Sequence, residues 1–176
     1  MTQALILMGS ISDEETVRPC AELLEKLGIG FRIAVSSAHR TPERTETLVR
    51  EAERDGCRVF ICAAGMAAHL AGAVAARTVR PVIGIPVTAS SLGGLDAVLS
   101  TLMMPPGFPV ATLALDKAGA RNAAWLAAQI LALNDESLTL RLREERAAMA
   151  RGVEEASRRL AGNPRPSPTA GPDAIQ

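Results

Sequence analysis

Aromatic residues are almost missing from this chain: its 176 residues include no Tyr, one Trp and three Phe. That scarcity argues against a single-strand nucleic-acid binder, which stacks bases on aromatic platforms, and leaves little to hold a flavin. Charge of one sign is also lacking. Lys plus Arg and Asp plus Glu stand at 19 each, so no overall field draws the chain to nucleic acid or to an anionic membrane. No apolar run approaches the roughly 20 residues that cross a bilayer, and no basic and apolar signal segment opens the chain. The expectation is a cytoplasmic protein with no membrane partner. Cys20, Cys57 and Cys62 are odd in number and lack CxxC spacing, so neither a disulfide framework nor a zinc site is indicated, and packed thiols are expected. GxGxxG and GxxxxGK[ST] are both absent, which leaves phosphate capture to hydroxyls, a helix N-terminus and Arg40.

What is present is apolar content, 48% of residues, enough for one domain in the usual range of roughly 100–200 residues. Runs of strand length, ALILM (4–8), FRIAV (31–35), RVFICA (58–63), PVIGIPV (81–87) and VATLAL (110–115), are rich in Val, Ile and Leu, as strands covered on both faces would be. Helical patterns lie between and after them at about 13–27, 42–55, 67–78, 94–103 and 117–133. This βα alternation predicts an α/β fold, a three-layer αβα doubly wound parallel sheet. The helix at 117–133 is apolar nearly all round and must be covered on more than one side. An extra C-terminal helix is expected at about 135–160, with a stripe of Leu138, Leu142, Met149, Val153, Ala156 and Leu160 that needs a surface on its own domain or on a neighbouring subunit. The single domain should end near residue 161. Residues 162–176, rich in Pro, Gly and Ser, are expected to be a disordered tail.

In such sheets ligands bind outside the carboxyl ends of the strands, and the unusual stretches fall there: GSISD (9–13), SSAHR (36–40), AAGMAAHLAG (63–72), TASSLGGLD (88–96) and DKAGARN (116–122). Both histidines of the chain, His39 and His69, lie on that side. Ordinary folding accounts for some of this. Thr41-Pro42-Glu43 reads as a helix start, Ser12 with Glu15 reads as a capping box, Asp13 could be first-turn charge, and His69 could be a packed histidine. Ser37, His39 and Arg40 have no such reading.

Taken together, MGSISD, SSAHRTPER, AAGMAAHLAG, GIPVTASSLGGLDAVLSTLMMPPGFPV and LDKAGARNAAWLAAQIL resemble the N5-carboxyaminoimidazole ribonucleotide mutase family, the small-subunit type of phosphoribosylaminoimidazole carboxylase in purine synthesis. The resemblance runs over about residues 4–160. It implies a flavodoxin-like subunit, a homo-octamer whose C-terminal helix packs on a neighbour, a nucleotide substrate, and no metal or organic cofactor. Carried over by position, it implies His39 as the acid/base with His69 beside the migrating carboxylate, and Ser10, Ser12, Asp13, Ser37, Ala38, Arg40, Ala64, Gly65 and Leu70 as substrate-binding positions. Asp13 suits ribose hydroxyls and Arg40 a phosphate.

The third motif departs from the family's usual Gly-Gly-Ala-Ala-His-Leu-Pro-Gly, since Met66 and Ala71 replace a Gly and the Pro. A sister class, which carboxylates aminoimidazole ribonucleotide directly, carries an Ala-Gly-Arg-Ser-Asn type sequence there, so the run with His69 resembles the mutase class. Two other readings of the fold are a flavodoxin-like electron carrier, disfavoured by the missing aromatics, and a non-catalytic nucleotide-binding module, which would not need His39.

Overall fold

The computed structural model describes residues 2–162. The expected disordered tail therefore lies outside the described residues, apart from Gly162. Five strands, β1 (Ala4–Met8), β2 (Phe31–Val35), β3 (Val59–Gly65), β4 (Val82–Val87) and β5 (Ala111–Thr112), form one sheet in the order β2-β1-β3-β4-β5 with every pair parallel. That is the flavodoxin-like order. The helices are α1 (Glu14–Lys26), α2 (Pro42–Arg54), α3 (Leu70–Ala75), α4 (Leu95–Leu102), α5 (Asp116–Ala132) and α6 (Glu136–Ala161), with a 3-10 turn at Ile11–Asp13 before α1.

Period-two alternation divides the core in two. Ile6, Ile61 and Ile83 face α1, α5 and the start of α6, while Leu5, Leu7, Phe60 and Cys62 face α2 and α3. β1, β3 and β4 are buried over most of their length. The alanines of α5, Ala120, Ala123, Ala124, Ala127 and Ala128, are fully buried between the sheet, α1 and α6, which meets the need for cover on more than one side. All three cysteines are free and buried, and burial pushes the Cys20 thiol up to about 12.

Several local expectations are corrected. β2 is an edge strand, and Ile33 and Val35 stay partly exposed rather than covered on both faces. β5 pairs over two residues instead of six, and the chain then turns into α5, with Gly119 so close that a Cβ there would sit 1.7 Å from the Ala114 carbonyl oxygen. The third helix is shorter than the pattern suggested at both ends, since 66–69 precede it as a bend and irregular chain and 76–77 leave it as a turn. The first capping box uses Ser10 and Asp13, not Ser12 and Glu15. Thr41 precedes α2 but does not cap it. Its hydroxyl instead takes the Ser37 N–H at 3.0 Å and donates to the Ser37 carbonyl at 3.1 Å, which ties the SSAHR loop into a turn.

Candidate active site

Strand register brings three loops to one place. Met8 pairs with Val35 on one side and with Ala63 on the other, so β1 and β2 end level and β3 runs two residues further, and the three loops leave the same end of the sheet where the strand order reverses. There a cleft of about 550 Å³ is lined by Ser10, Ser12 and Asp13 from the first loop, Ser37, Ala38, His39 and Arg40 from the second, and Ala64, Gly65, His69 and Leu70 from the third. Every residue singled out from the sequence is in this wall. Leu70 is buried and contributes the floor. Gly9, Met66, Ala67 and Ala89 complete the lining and were not on the sequence-derived set. They carry no titratable group; their place inside the unusual loop motifs marked them, and Met66 was marked also by standing where the family usually has Gly. A larger concavity of about 840 Å³ lies at the opposite edge between 75–82 and 107–111 and contains no histidine.

The two histidines meet across the cleft: His39 Nε2 lies 2.7 Å from His69 Nδ1, with the rings edge to face. One facing nitrogen must carry hydrogen and the other accept it, so the contact fixes complementary tautomers or one shared proton. Both side chains remain exposed toward the opening. Arg40 is held near its base, its N–H donating to Ser37 Oγ at 3.2 Å, and it forms no salt bridge among the described residues. Its guanidinium end is available to an anion.

Asp13 is only 7% exposed. Its Oδ2 accepts the Ser10 N–H at 3.1 Å and its Oδ1 the Ser12 hydroxyl at 3.4 Å. Burial raises its carboxyl above the usual carboxylate range, and these two donors counter only part of that rise. A carboxylate retains further lone pairs after two such bonds, so Asp13 can hold its own loop and still accept from a ligand in the cleft.

The third loop is braced from behind. A Cβ on Gly65 would lie 2.5 Å from the Ala89 Cβ and 2.9 Å from the Val87 carbonyl oxygen, so glycine is required where β3 packs on the end of β4. Ala89 in turn follows Thr88, whose N–H and hydroxyl donate to the two carboxylate oxygens of Asp116 at 2.8 and 2.7 Å. Asp116 has φ +56, and Met66 has φ +57; among the described residues these are the two non-glycine residues in the left-handed region, a conformation costing about 1–2 kcal/mol. No group of three or more His, Cys, Asp or Glu among the described residues is placed to hold a metal ion, and no helix among them is long and apolar enough to cross a membrane.

Comparison with known proteins identifies the kind of molecule to which this cleft belongs. The AIR carboxylase family model matches residues 3–152. The N5-carboxyaminoimidazole ribonucleotide mutase of Brucella melitensis is 51% identical over 150 residues, covering 85% of this chain and 93% of that relative. The enzyme of the same name from Escherichia coli strain K12 is 48% identical over 150 residues, covering 85% and 89%. The crystal structure of Treponema denticola PurE superposes with a TM-score of 0.82 at 30% identity, covering 91% of this chain and 99% of that one. With a matching family model across most of its length and relatives about half identical over the same span, this chain belongs to the AIR carboxylase family.

Proposed function

We propose that this protein interconverts N5-carboxyaminoimidazole ribonucleotide and 4-carboxyaminoimidazole ribonucleotide, a mutase step of purine synthesis in the cytoplasm. The 2.7 Å contact between His39 and His69 in the cleft carries this reading, because a nucleotide-binding module would have no use for a proton-handling pair. The names of the Brucella and Escherichia relatives support the same reaction.

The chemistry balances without an outside oxidant or group donor. The bond between the exocyclic nitrogen and its carboxylate breaks, carbon dioxide leaves, and the electron pair stays on nitrogen, which takes a proton from an imidazolium. The ring carbon then attacks the same carbon dioxide, and the imidazole, now neutral, removes the proton from that carbon as aromaticity returns. One histidine gives and regains one proton, which suits the side chain that titrates near neutral pH. His39 is assigned this role. His69, through the nitrogen facing His39, sets which His39 nitrogen is protonated and lies beside the migrating carboxylate. Ser10, Ser12 and Ser37 line the nucleotide side, with Asp13 on the ribose hydroxyls and Arg40 on the phosphate. Ala64 and Gly65 allow the carboxylate to approach backbone N–H groups. Retention of carbon dioxide next to its acceptor is catalysis by proximity.

A homo-octamer, with the far half of α6 packed on a neighbour, is part of the same proposal. The purified protein should interconvert the two isomers without ATP and should use aminoimidazole ribonucleotide plus bicarbonate poorly. His39→Asn should lower the interconversion by about 10²–10⁴-fold while ligand binding persists. Efficient direct carboxylation of aminoimidazole ribonucleotide would move the protein to the sister class, and near-normal turnover in His39→Asn would transfer the acid/base role to His69.

A further inference from the structure

The active-site cleft has a neighbour. A groove of about 400 Å³ shares Ser10, Ser37 and Arg40 with it and adds Ile11, Val35, Thr41 and Arg44 at the end of β2 and the start of α2. The three shared residues form a border between a compartment that holds both histidines and one that holds neither. No carboxylate lines the groove, and Asp13 stays on the cleft side.

The polar groups of the groove are not equally available. Ser36 and Thr41 are spent on the loop itself: Ser36 Oγ lies 2.8 Å from Thr45 Oγ1, and the Thr41 hydroxyl donates to the Ser37 carbonyl. Ser37 Oγ accepts the Arg40 N–H, which leaves its own hydrogen free to donate. Arg44 Nε donates to the Val35 carbonyl at 3.1 Å, which anchors the guanidinium at the end of β2 and leaves both Nη groups without a partner among the described residues. Arg18, Arg32, Arg50 and Arg77 each pair with a carboxylate. Arg40 and Arg44 pair with none among the described residues. Two unneutralised guanidinium groups on a groove without a carboxylate make a place for an anion of more than one charge.

We infer that Arg44 is a specificity-determining residue of this site: with Arg40 and Ser37 it receives the phosphate of the substrate in the groove, and so selects the ribonucleotide over its riboside. The inference rests on the mutase reading above and extends its phosphate end from one cation to two. A ligand whose base lies at the histidines and whose ribose crosses the shared border brings its phosphate into the groove. A phosphate monoester carries roughly −1.5 to −2 charge at neutral pH, so one guanidinium leaves much of that charge unmatched, and the planar fork of a second matches the remaining oxygens.

The test compares two ligands that differ only in the phosphate. Wild type, Arg44→Gln and Arg44→Lys are titrated by calorimetry with 4-carboxyaminoimidazole ribonucleotide and with the corresponding riboside, at low and at high salt. Arg44→Gln should bind the ribonucleotide about tenfold or more weakly at low salt, a loss that shrinks as salt screens the attraction. Its affinity for the riboside should change less than about twofold, because that ligand carries no phosphate for Arg44 to contact. Arg44→Lys keeps the charge without the fork and should fall between. Arg44 is exposed, so each variant should keep its Tm within a few degrees of wild type. Unchanged ribonucleotide affinity in Arg44→Gln would overturn the role, and equal losses for both ligands would reduce Arg44 to a support for the end of β2. A loss that does not vary with salt would overturn it as well, and this readout holds even where riboside binding is too weak to register. A wild type that binds the ribonucleotide through Arg44 but does not interconvert the isomers would refute the mutase reading alone, whereas a wild type that does not bind the ribonucleotide would overturn both.

Discussion

At the scale of single residues, Asp13 is bonded within its own loop and lines the cleft, and in the proposed mutase it serves the ligand as well. Burial raises its carboxyl, so the folded chain holds the proton more tightly than the unfolded chain does. Linkage then makes this group's contribution to stability fall as pH rises from the ordinary carboxylate range through the raised value, and level off above it. Ligand binding has the opposite sign, because only the ionised form is a full acceptor for hydroxyls. KM for the nucleotide should therefore climb as pH drops through that raised value, and Asp13→Asn should remove this rise while weakening binding overall. Asp13→Ala should weaken binding by about 1.5–3 kcal/mol, with a stability loss near one cap's worth, about 1 kcal/mol. A KM profile for wild type that matches that of Asp13→Asn would take the ribose away from Asp13. Asp116 makes a purely structural counterpart. Asp116→Ala loses two hydrogen bonds and leaves a β-carbon residue in the left-handed region, so it should lower stability by about 1–3 kcal/mol, with Asp116→Asn in between. Unchanged melting in Asp116→Ala would mean that the Thr88 pairing bears no weight.

At the scale of elements, α6 is two helices in one. Leu138 and Leu142 join the core of its own subunit, Arg141 Nε donates to the Leu27 carbonyl at 3.0 Å, and the Arg146 guanidinium sits 5.7 Å from the Trp125 ring. The Lys26–Glu145 pair nearby has its lysine largely in solvent, and such pairs contribute about 1 kcal/mol or less. Past Arg146 the stripe continues through Met149, Val153 and Leu160, all exposed. The two halves should respond differently to change. Leu138→Ala should destabilise the subunit by about 2–5 kcal/mol through a core cavity, measured by urea unfolding. A chain ending at Ala147 should keep nearly the subunit stability of the full chain but form a smaller assembly by light scattering. An unchanged assembly mass in that truncation would remove the outer half of α6 from any subunit contact.

At the scale of the whole molecule, the surface is less finished than the core. Leu95, Leu99 and Leu102 form an exposed apolar face on α4, with Leu92 and Met103 beside it. Isolated exposed leucines are ordinary, but a contiguous face is the mark of an interaction surface. Burial of such a face returns roughly 25 cal/mol per Å², which supports the proposed homo-oligomer independently of α6. Leu99→Asp should reduce the assembly mass while each subunit stays folded by circular dichroism. A wild-type protein that runs as a monomer at micromolar concentration would refute the octamer.

The sequence by itself determined the alternation of strands and helices, the faces they bury and the loops that carry unusual chemistry. These follow from local periodicity, and β1 and β2 begin and end where their apolar runs do. Periodicity could not tell where β5 stops, because the apolar run 110–115 continues past the two residues that pair with β4, nor that Ser10 rather than Ser12 closes the capping box. The motifs named eleven residues of the cleft, but their convergence is a matter of register: Val35, Met8 and Ala63 lie level across three strands. Only the tertiary structure decided that His39 and His69, thirty residues apart, share a hydrogen bond. It alone decided that Met66 stands in a left-handed turn at the rim. Both depend on crossovers that bring distant loops together, and no pattern within one segment encodes the distance between two.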